Sequence, residues 1–186
     1  MSILKAYKKI IAGDFLCVPA CLEVILQRYN FSISQYVIAE YLGLYVPIDY
    51  CGPVRNVRRT NNRIEWGVQL QLESLNKFFI DFSFPLQEKY IHHKQMDEVL
   101  FDEIITNNSN RIDTDVICGF DYGILNNFEY GSGHVSLVLG LENDCIFTFD
   151  PGPKDPGIKK YLTYEMYLSM KKKNDGLWII KMNNYV

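Results

Sequence analysis

The run DFLCVPACLEVILQRYN, residues 14 to 30, constrains the fold more than any other stretch of the chain. Its apolar positions Cys21, Leu22, Ile25, Leu26 and Tyr29 recur at the i, i+4, i+8 spacing of an amphipathic helix whose stripe must be buried. The spacing predicts a helix from Val18 to Tyr29, stopped at Asn30. Pro19 falls in its first turn, where a missing N–H costs nothing. Cys17 stands at the foot of this helix, where the macrodipole and unpaired amide donors favour a thiolate. A thiol there is either a small buried hydrophobe or a nucleophile, and the helix alone does not choose between them.

The remaining elements must cover that stripe. Residues 3 to 12 read as a short helix or an extended lead-in. Ser32 to Gln35 form an N-cap signal for a second helix, with Ile38, Leu42 and Tyr41 inward and Gly43 as its stop. Residues 46 to 67 carry Pro47, Gly52, Pro53 and the basic, asparagine-rich piece VRNVRRTNNRIEWG, and read as an irregular connection, either a lid or a substrate-facing loop. Residues 68 to 81 look helical, although their first half alternates like a strand. After Phe84-Pro85, residues 86 to 94 form a candidate strand and 95 to 106 a short acidic helix.

The second half turns to β. Asp115 to Phe120 is a buried strand, and a Gly- and Asn-rich loop over 121 to 133 ends in Gly131-Ser132-Gly133. His134 to Leu141 and Cys145 to Phe149 form a hairpin around Asn143-Asp144. Asp150-Pro151-Gly152-Pro153 stops it. Residues 163 to 173 make a helix with Thr163 as N-cap, and Leu177 to Met182 a final strand. Helices early and strands late predict a single α+β domain over 1–186.

The 186-residue length suits one well-buried domain, and 48% hydrophobic with 14% aromatic content demands a folded core. A net charge of −3 gives no reason to expect a nucleic acid partner. No segment reaches the roughly 18 apolar residues of a membrane span. The N-terminus is a poor signal peptide, so cytoplasmic residence is the default, and a chain exported without a cleaved signal would look the same. Five cysteines, odd in number and without paired CxxC spacing, predict neither a disulfide framework nor a metal site. No cofactor is expected, and the oligomeric state is open.

Chemistry concentrates at the hairpin. His134 begins its first strand, and Asp150 ends the second, sixteen residues on. Counting round the turn puts the two at matched ends of antiparallel neighbours, roughly 5 Å apart. Asp150 can then orient the imidazole, which can take a proton from a thiol on its other side. If the Cys17 helix points its N-terminus at that sheet end, a Cys–His–Asp triad results. Cys51-Gly52-Pro53 is a weaker second nucleophile candidate, because Arg55, Arg58 and Arg59 replace the helical apolar run that should follow. His92 and His93 are adjacent, so on a regular element they point apart and face solvent.

FLCVPACLEVILQRYN, GHVSLVLGLENDCIFTFDPG and the helix-then-strand tail resemble the papain-like bacteriocin-processing peptidases, the double-glycine leader peptidase family. The resemblance does not extend to residues 46 to 113. It implies a papain-like fold, Cys17 as nucleophile, His134 as general base and acid, and Asp150 as orienter. Two positions depart from the family pattern. Val18 stands where glycine usually follows the nucleophile, and Ile11 stands where a glutamine side chain helps to form the oxyanion hole. The nearest upstream polar group, Asp14, is a carboxylate and would repel an oxyanion, which leaves backbone amides, including that of Cys17, as donors. Three readings follow: a cysteine peptidase or thiol hydrolase, a cysteine-dependent acyltransferase, and a degenerate relative that only binds peptide. A peptide or acyl-bearing substrate is the expected partner.

Overall fold

The computed structural model describes residues 5, 7–70, 74–127, 133–153 and 155–183. Helix α1 (Cys17–Arg28) lies at the centre, and every residue from Val18 to Leu26 except Glu23 is buried. Beside it, α2 (Gln35–Leu42) begins at Ser34, whose side chain accepts from the Val37 amide, and ends at Gly43, where φ is +84°. Helix α3 (Ser74–Asp81) buries Leu75, Phe78 and Phe79. Helix α4 (Glu98–Ser109) starts from an Asp97 cap that accepts from the Leu100 amide.

The stretch expected to be irregular holds a small sheet instead. Its strands β1 (Leu44–Val46), β2 (Val57–Arg59) and β3 (Gly67–Val68) are ordered β2-β1-β3. Leu44 and Val46 turn into the core. With strands of two or three residues, no period-2 pattern was long enough to read. The helix expected over 68 to 81 is accordingly shorter, and residues 71–73 lie outside the described residues.

The main sheet has six strands in the order β4-β9-β5-β6-β7-β8, all neighbours antiparallel. They are β4 (Leu86–His92), β5 (Thr114–Asp121), β6 (Gly133–Glu142), β7 (Cys145–Asp150), β8 (Gly157–Leu162) and β9 (Gly176–Met182). Between β5 and β6 the short helix α5 (Tyr122–Asn126) occupies part of the expected loop; Gly131 and Ser132 lie outside the described residues. Asn143 and Asp144 both take left-handed backbone, φ 51° and 58°, as a two-residue type I′ hairpin turn requires. Strand β8 went unread from the sequence: Pro156 and Gly157 hid the alternation of Ile158, Lys160 and Leu162 (outward) with Lys159 and Tyr161. Helix α6 (Thr163–Lys173) includes Thr163 as its first residue, and Leu162 sits at the cap without a side-chain bond, which corrects the expected cap.

Helices cover both faces of the main sheet. Val135, Leu137, Leu139 and Phe149 face the core built by α1, α2 and α3. Phe120, Val138 and Ile146 face Phe101 of α4 and Met166 and Met170 of α6. The far end of α1 is tied down by Arg28, which pairs with the fully buried Asp115 at 2.6 Å and donates to the Ile112 carbonyl at 2.7 Å. Tyr7 also donates to Asp115, anchoring the lead-in segment, whose described residues 7 to 12 form no regular element. The architecture is α+β. Among the described residues, no helix is long and apolar enough to cross a membrane.

Candidate active site

Cys17 is the first residue of α1, and the chain reaches it through a tight turn. Leu16 N–H donates to the Gly13 carbonyl at 3.1 Å, and Phe15 adopts left-handed backbone at φ 65°. That conformation costs a non-glycine residue about 1 kcal/mol or more. The Phe15 ring, packed edge-on against Tyr50 at 6.1 Å and Trp66 at 5.5 Å, offsets it. The first helical bond runs from Ala20 N–H to Leu16 C=O at 2.8 Å. The amides of Cys17 and Val18 therefore have no helical acceptor, and Pro19 has no amide to lose.

The other two residues meet across β6 and β7. His134 Nε2 lies 2.8 Å from Asp150 Oδ1. Asp150 is buried, and the same Oδ1 accepts from Gly152 N–H at 2.7 Å, so the turn after β7 fixes the carboxylate. With Nε2 committed to Asp150, Nδ1 is the nitrogen left for a thiol, and Cys17 lies close enough to the imidazole for each group to shift the other's ionisation. All three sequence candidates thus come together. Phe120 and Tyr122 set the ring plane, with centroids 5.4 and 5.1 Å from the imidazole in edge-on contact. The Asp121 side chain accepts from Gly123 N–H at 2.9 Å and starts the short helix that carries Tyr122.

A β-bulge puts His134 and Asp150 on one face. At the turn, Glu142 pairs with Cys145 and Gly140 with Phe147, and regular counting from there would set Asp150 opposite Leu137. Leu137 faces the α1 core. Leu139 is instead an extra residue between Val138 and Gly140, so Leu137 pairs with Phe149 and Asp150 comes level with Ser136. Ser136 and His134 are two residues apart and share a face. Gly140, at φ 151°, supplies the backbone the bulge needs. The matched-end geometry expected from the sequence is therefore corrected to a diagonal one. Gly140 was the only signal of it.

Electrostatics favour an ion pair. Burial pulls the His134 pKa down, but the hydrogen bond to Asp150 and then the interaction with Cys17 outweigh it and raise it from 6.5 to about 10. Burial raises the Cys17 pKa, and the His134 imidazole with the amides of Val135 and Val18 lowers it further, for a net fall below 9.0. Cys21, one turn along, goes the other way: burial and the nearby Cys17 and Asp150 charges push its thiol well up. Its Sγ lies 3.9 Å from the Val135 carbonyl.

Ile11, at the position of the family's glutamine, is 62% exposed and has no donor to offer. A different glutamine serves the same loop. Gln35, buried at the start of α2, accepts from Gly13 N–H at 2.9 Å and donates to Ile11 C=O at 3.0 Å. Ala12 N–H donates to Pro151 C=O at 2.8 Å and ties the loop to the turn after Asp150. Sequence reasoning missed Gln35 because it lies 18 residues beyond Cys17, outside any local motif.

The other candidates lie apart from this arrangement. Cys51 is exposed and its thiol meets only the Asp49 carbonyl among the described residues. His92 and His93 are half-buried, and their rings meet where the expectation had them pointing apart. The strand ends at His92, and both half-buried rings, 4.4 Å apart, converge on Asn174. Among the described residues, no group of histidine, cysteine and carboxylate side chains is arranged to hold a metal.

No protein-family model matches the sequence, and no curated protein matches it either. Solved structures do match in shape. A protein from Bacillus anthracis described as a C39-like peptidase superposes with a TM-score of 0.64 at 15% identity, covering 96% of each chain. The fold is that of the papain-like C39 peptidases. A second C39-type structure, a double-glycine motif protease from an AMS/PCAT transporter in complex with the leader peptide, matches with a TM-score of 0.54 at 14% identity, over 95% of this chain and 92% of that one. The C39 likeness spans residues 46 to 113 as well, where the sequence alone showed none.

Proposed function

We propose that the chain is a cysteine peptidase in which Cys17 is the nucleophile, His134 the general acid and base, and Asp150 the residue that orients the imidazole. The observation that carries the reading is the 2.8 Å contact between His134 Nε2 and Asp150, with the Cys17 thiol near enough to the imidazole to be shifted by it. In the resting site the proton resides on His134 and the charge on sulfur. The thiolate attacks the peptide carbonyl, and the imidazolium gives its proton to the departing amine as the C–N bond breaks. A thioester to Cys17 remains. His134, now neutral, takes a proton from water, the hydroxide attacks the thioester, and the acid leaves as the C–S bond breaks and the thiolate–imidazolium pair is restored. The amides of Cys17 and Val18 in the first turn of α1 are the backbone donors nearest to the developing oxyanion. The double-glycine protease whose fold this chain shares is bound to a leader peptide, which favours a peptide substrate over a small acyl donor.

The test is cleavage of Gly-Gly-containing peptides read by mass spectrometry, with trapping of a thioester on Cys17 by acid quench. Wild type should cleave and Cys17→Ala should not. Transfer of the acyl group to an added amine in preference to water would replace the peptidase by an acyltransferase. Equal or slower alkylation of Cys17 compared with Cys51 would remove the catalytic role altogether.

A further inference from the structure

The chain has six arginines, and four of them lie between residues 55 and 63. The two outside that stretch are neutralised: Arg28 pairs with Asp115 and Arg111 with Asp113. Arg55, Arg58, Arg59 and Arg63 have no carboxylate partner among the described residues. Three are nevertheless held in place. The Arg58 guanidinium lies 5.3 Å over the Tyr45 ring and donates to its hydroxyl at 2.9 Å, and Arg63 lies 5.2 Å over Trp66. Arg59 donates to the Ile48 carbonyl at 2.5 Å. Aromatic faces and a carbonyl fix these groups without cancelling their charge. The acids nearby are engaged. The Glu65 carboxylate accepts from Thr60 Oγ1 at 2.9 Å and Asn62 Nδ2 at 3.0 Å, and Glu40 accepts from Arg55 N–H at 2.9 Å.

Of these arginines, Arg58 lines a groove close in the chain's packing to the segment before Cys17. Tyr45 and Arg58 are directly paired on β1 and β2, on the side of the small sheet away from Leu44 and Val46. They line a groove of about 510 Å³ together with Glu65 and Gln69. Tyr45 also pairs with Gly67 of β3. A Cβ at Gly67 would stand 3.7 Å from the Phe15 carbonyl, two residues before Cys17. One strand spacing and that short approach put the groove within roughly 15 Å of the thiol, about four or five residues of extended peptide.

We propose that the outer face of the β2-β1-β3 sheet binds acidic side chains of the substrate peptide, several residues from the scissile bond. This rests on the reading of Cys17 as a peptide-cleaving nucleophile. Arg58, held against the Tyr45 ring, is the residue pre-set to receive a carboxylate in a two-pronged contact.

The test reads binding without catalysis, using the full chain with Cys17→Ala. Fluorescent peptides with a central Gly-Gly and a glutamate cluster stepped outward on either side are compared with glutamine counterparts. At one offset the acidic peptide should bind roughly tenfold tighter, with the advantage shrinking as salt rises. R58E should abolish the preference, and R58K should keep part of it, with thermal melts confirming that both fold. Equal binding of acidic and neutral peptides, no binding of either, or tighter binding of a single-stranded oligonucleotide of matched charge would each overturn the proposal. Failure of the wild-type chain to cleave any of the peptides would overturn the peptidase reading and leave the binding result standing.

Discussion

Asp150→Asn changes charge while keeping shape, and its consequences can be sized. The rise of His134 from 6.5 to about 10 corresponds to roughly 5 kcal/mol at 1.36 kcal/mol per pH unit. The hydrogen bond to Asp150 is the largest single contribution that raises it, with Cys17 next. A carboxylate against an imidazolium at hydrogen-bond distance is worth up to about 4 kcal/mol at an effective dielectric near 20, so a loss of roughly half the total is a conservative figure. The imidazole of the variant should then titrate near about 8 or below. The chain has three histidines, so the His134 ring signal can be followed directly by NMR from neutral to alkaline pH. Alkylation of Cys17 by iodoacetamide at neutral pH should slow in the same variant, because a weaker imidazolium holds less thiolate. Stability follows the same linkage. A His pKa raised by folding stabilises the fold fully below the unfolded value of 6.5, and that contribution is lost as pH climbs through about 10. The stability gap between wild type and variant should therefore be widest on the acid side of neutrality and narrow toward pH 10. A His134 midpoint that stays near 10 in Asp150→Asn would refute the reasoning.

Three further outcomes are expected. Gly140→Val should lower both Tm and Cys17 reactivity, since φ 151° in the bulge strains any branched residue and the bulge sets the face of Asp150; alkylation at the wild-type rate would dissociate the two. Gln35→Ala removes both side-chain bonds that hold Ile11 and Gly13, and should cost about 1–3 kcal/mol by urea denaturation together with slower Cys17 alkylation. Asp115→Ala leaves Arg28, 10% exposed, without its carboxylate and should destabilise by about 3–5 kcal/mol in the same assay, with Cys17 reactivity per folded molecule unchanged because the pair lies at the opposite end of α1.

The central helix, the hairpin and its turn were legible because their signals are local. The 3.6-residue stripe of α1, the Asn143-Asp144 pair and the Gly43 stop each act within a few residues. The small sheet was not legible. Its strands are two or three residues long, and its parallel pairing joins Leu44 to Val57, thirteen positions on in the sequence. The edge strand β8 hid behind Pro156-Gly157. The pair His92 and His93 was misread because the chain leaves the strand at that point, which lets two adjacent rings meet one asparagine. Among site residues, Cys17, His134 and Asp150 could be named from type and position. Gln35, Tyr122 and the groove lined by Tyr45 and Arg58 needed the packing of separate elements to acquire meaning.

The sequence by itself determined the α+β class, the helix with a thiol at its N-terminus, and the strand order that carries a histidine and an aspartate sixteen residues apart. Those follow from periodicity and turn chemistry, which short-range sterics enforce. Whether Asp150 faces His134 or the α1 core was decided only in the tertiary structure. One inserted residue, Leu139, changes the parity of a strand, and side chains alternate with a period of two, so a single position moves a carboxylate from one side of the sheet to the other. The same holds for the loop before Cys17. No upstream residue supports it in the way the family pattern prescribes. A glutamine from the next helix does so instead, because α2 packs beside α1.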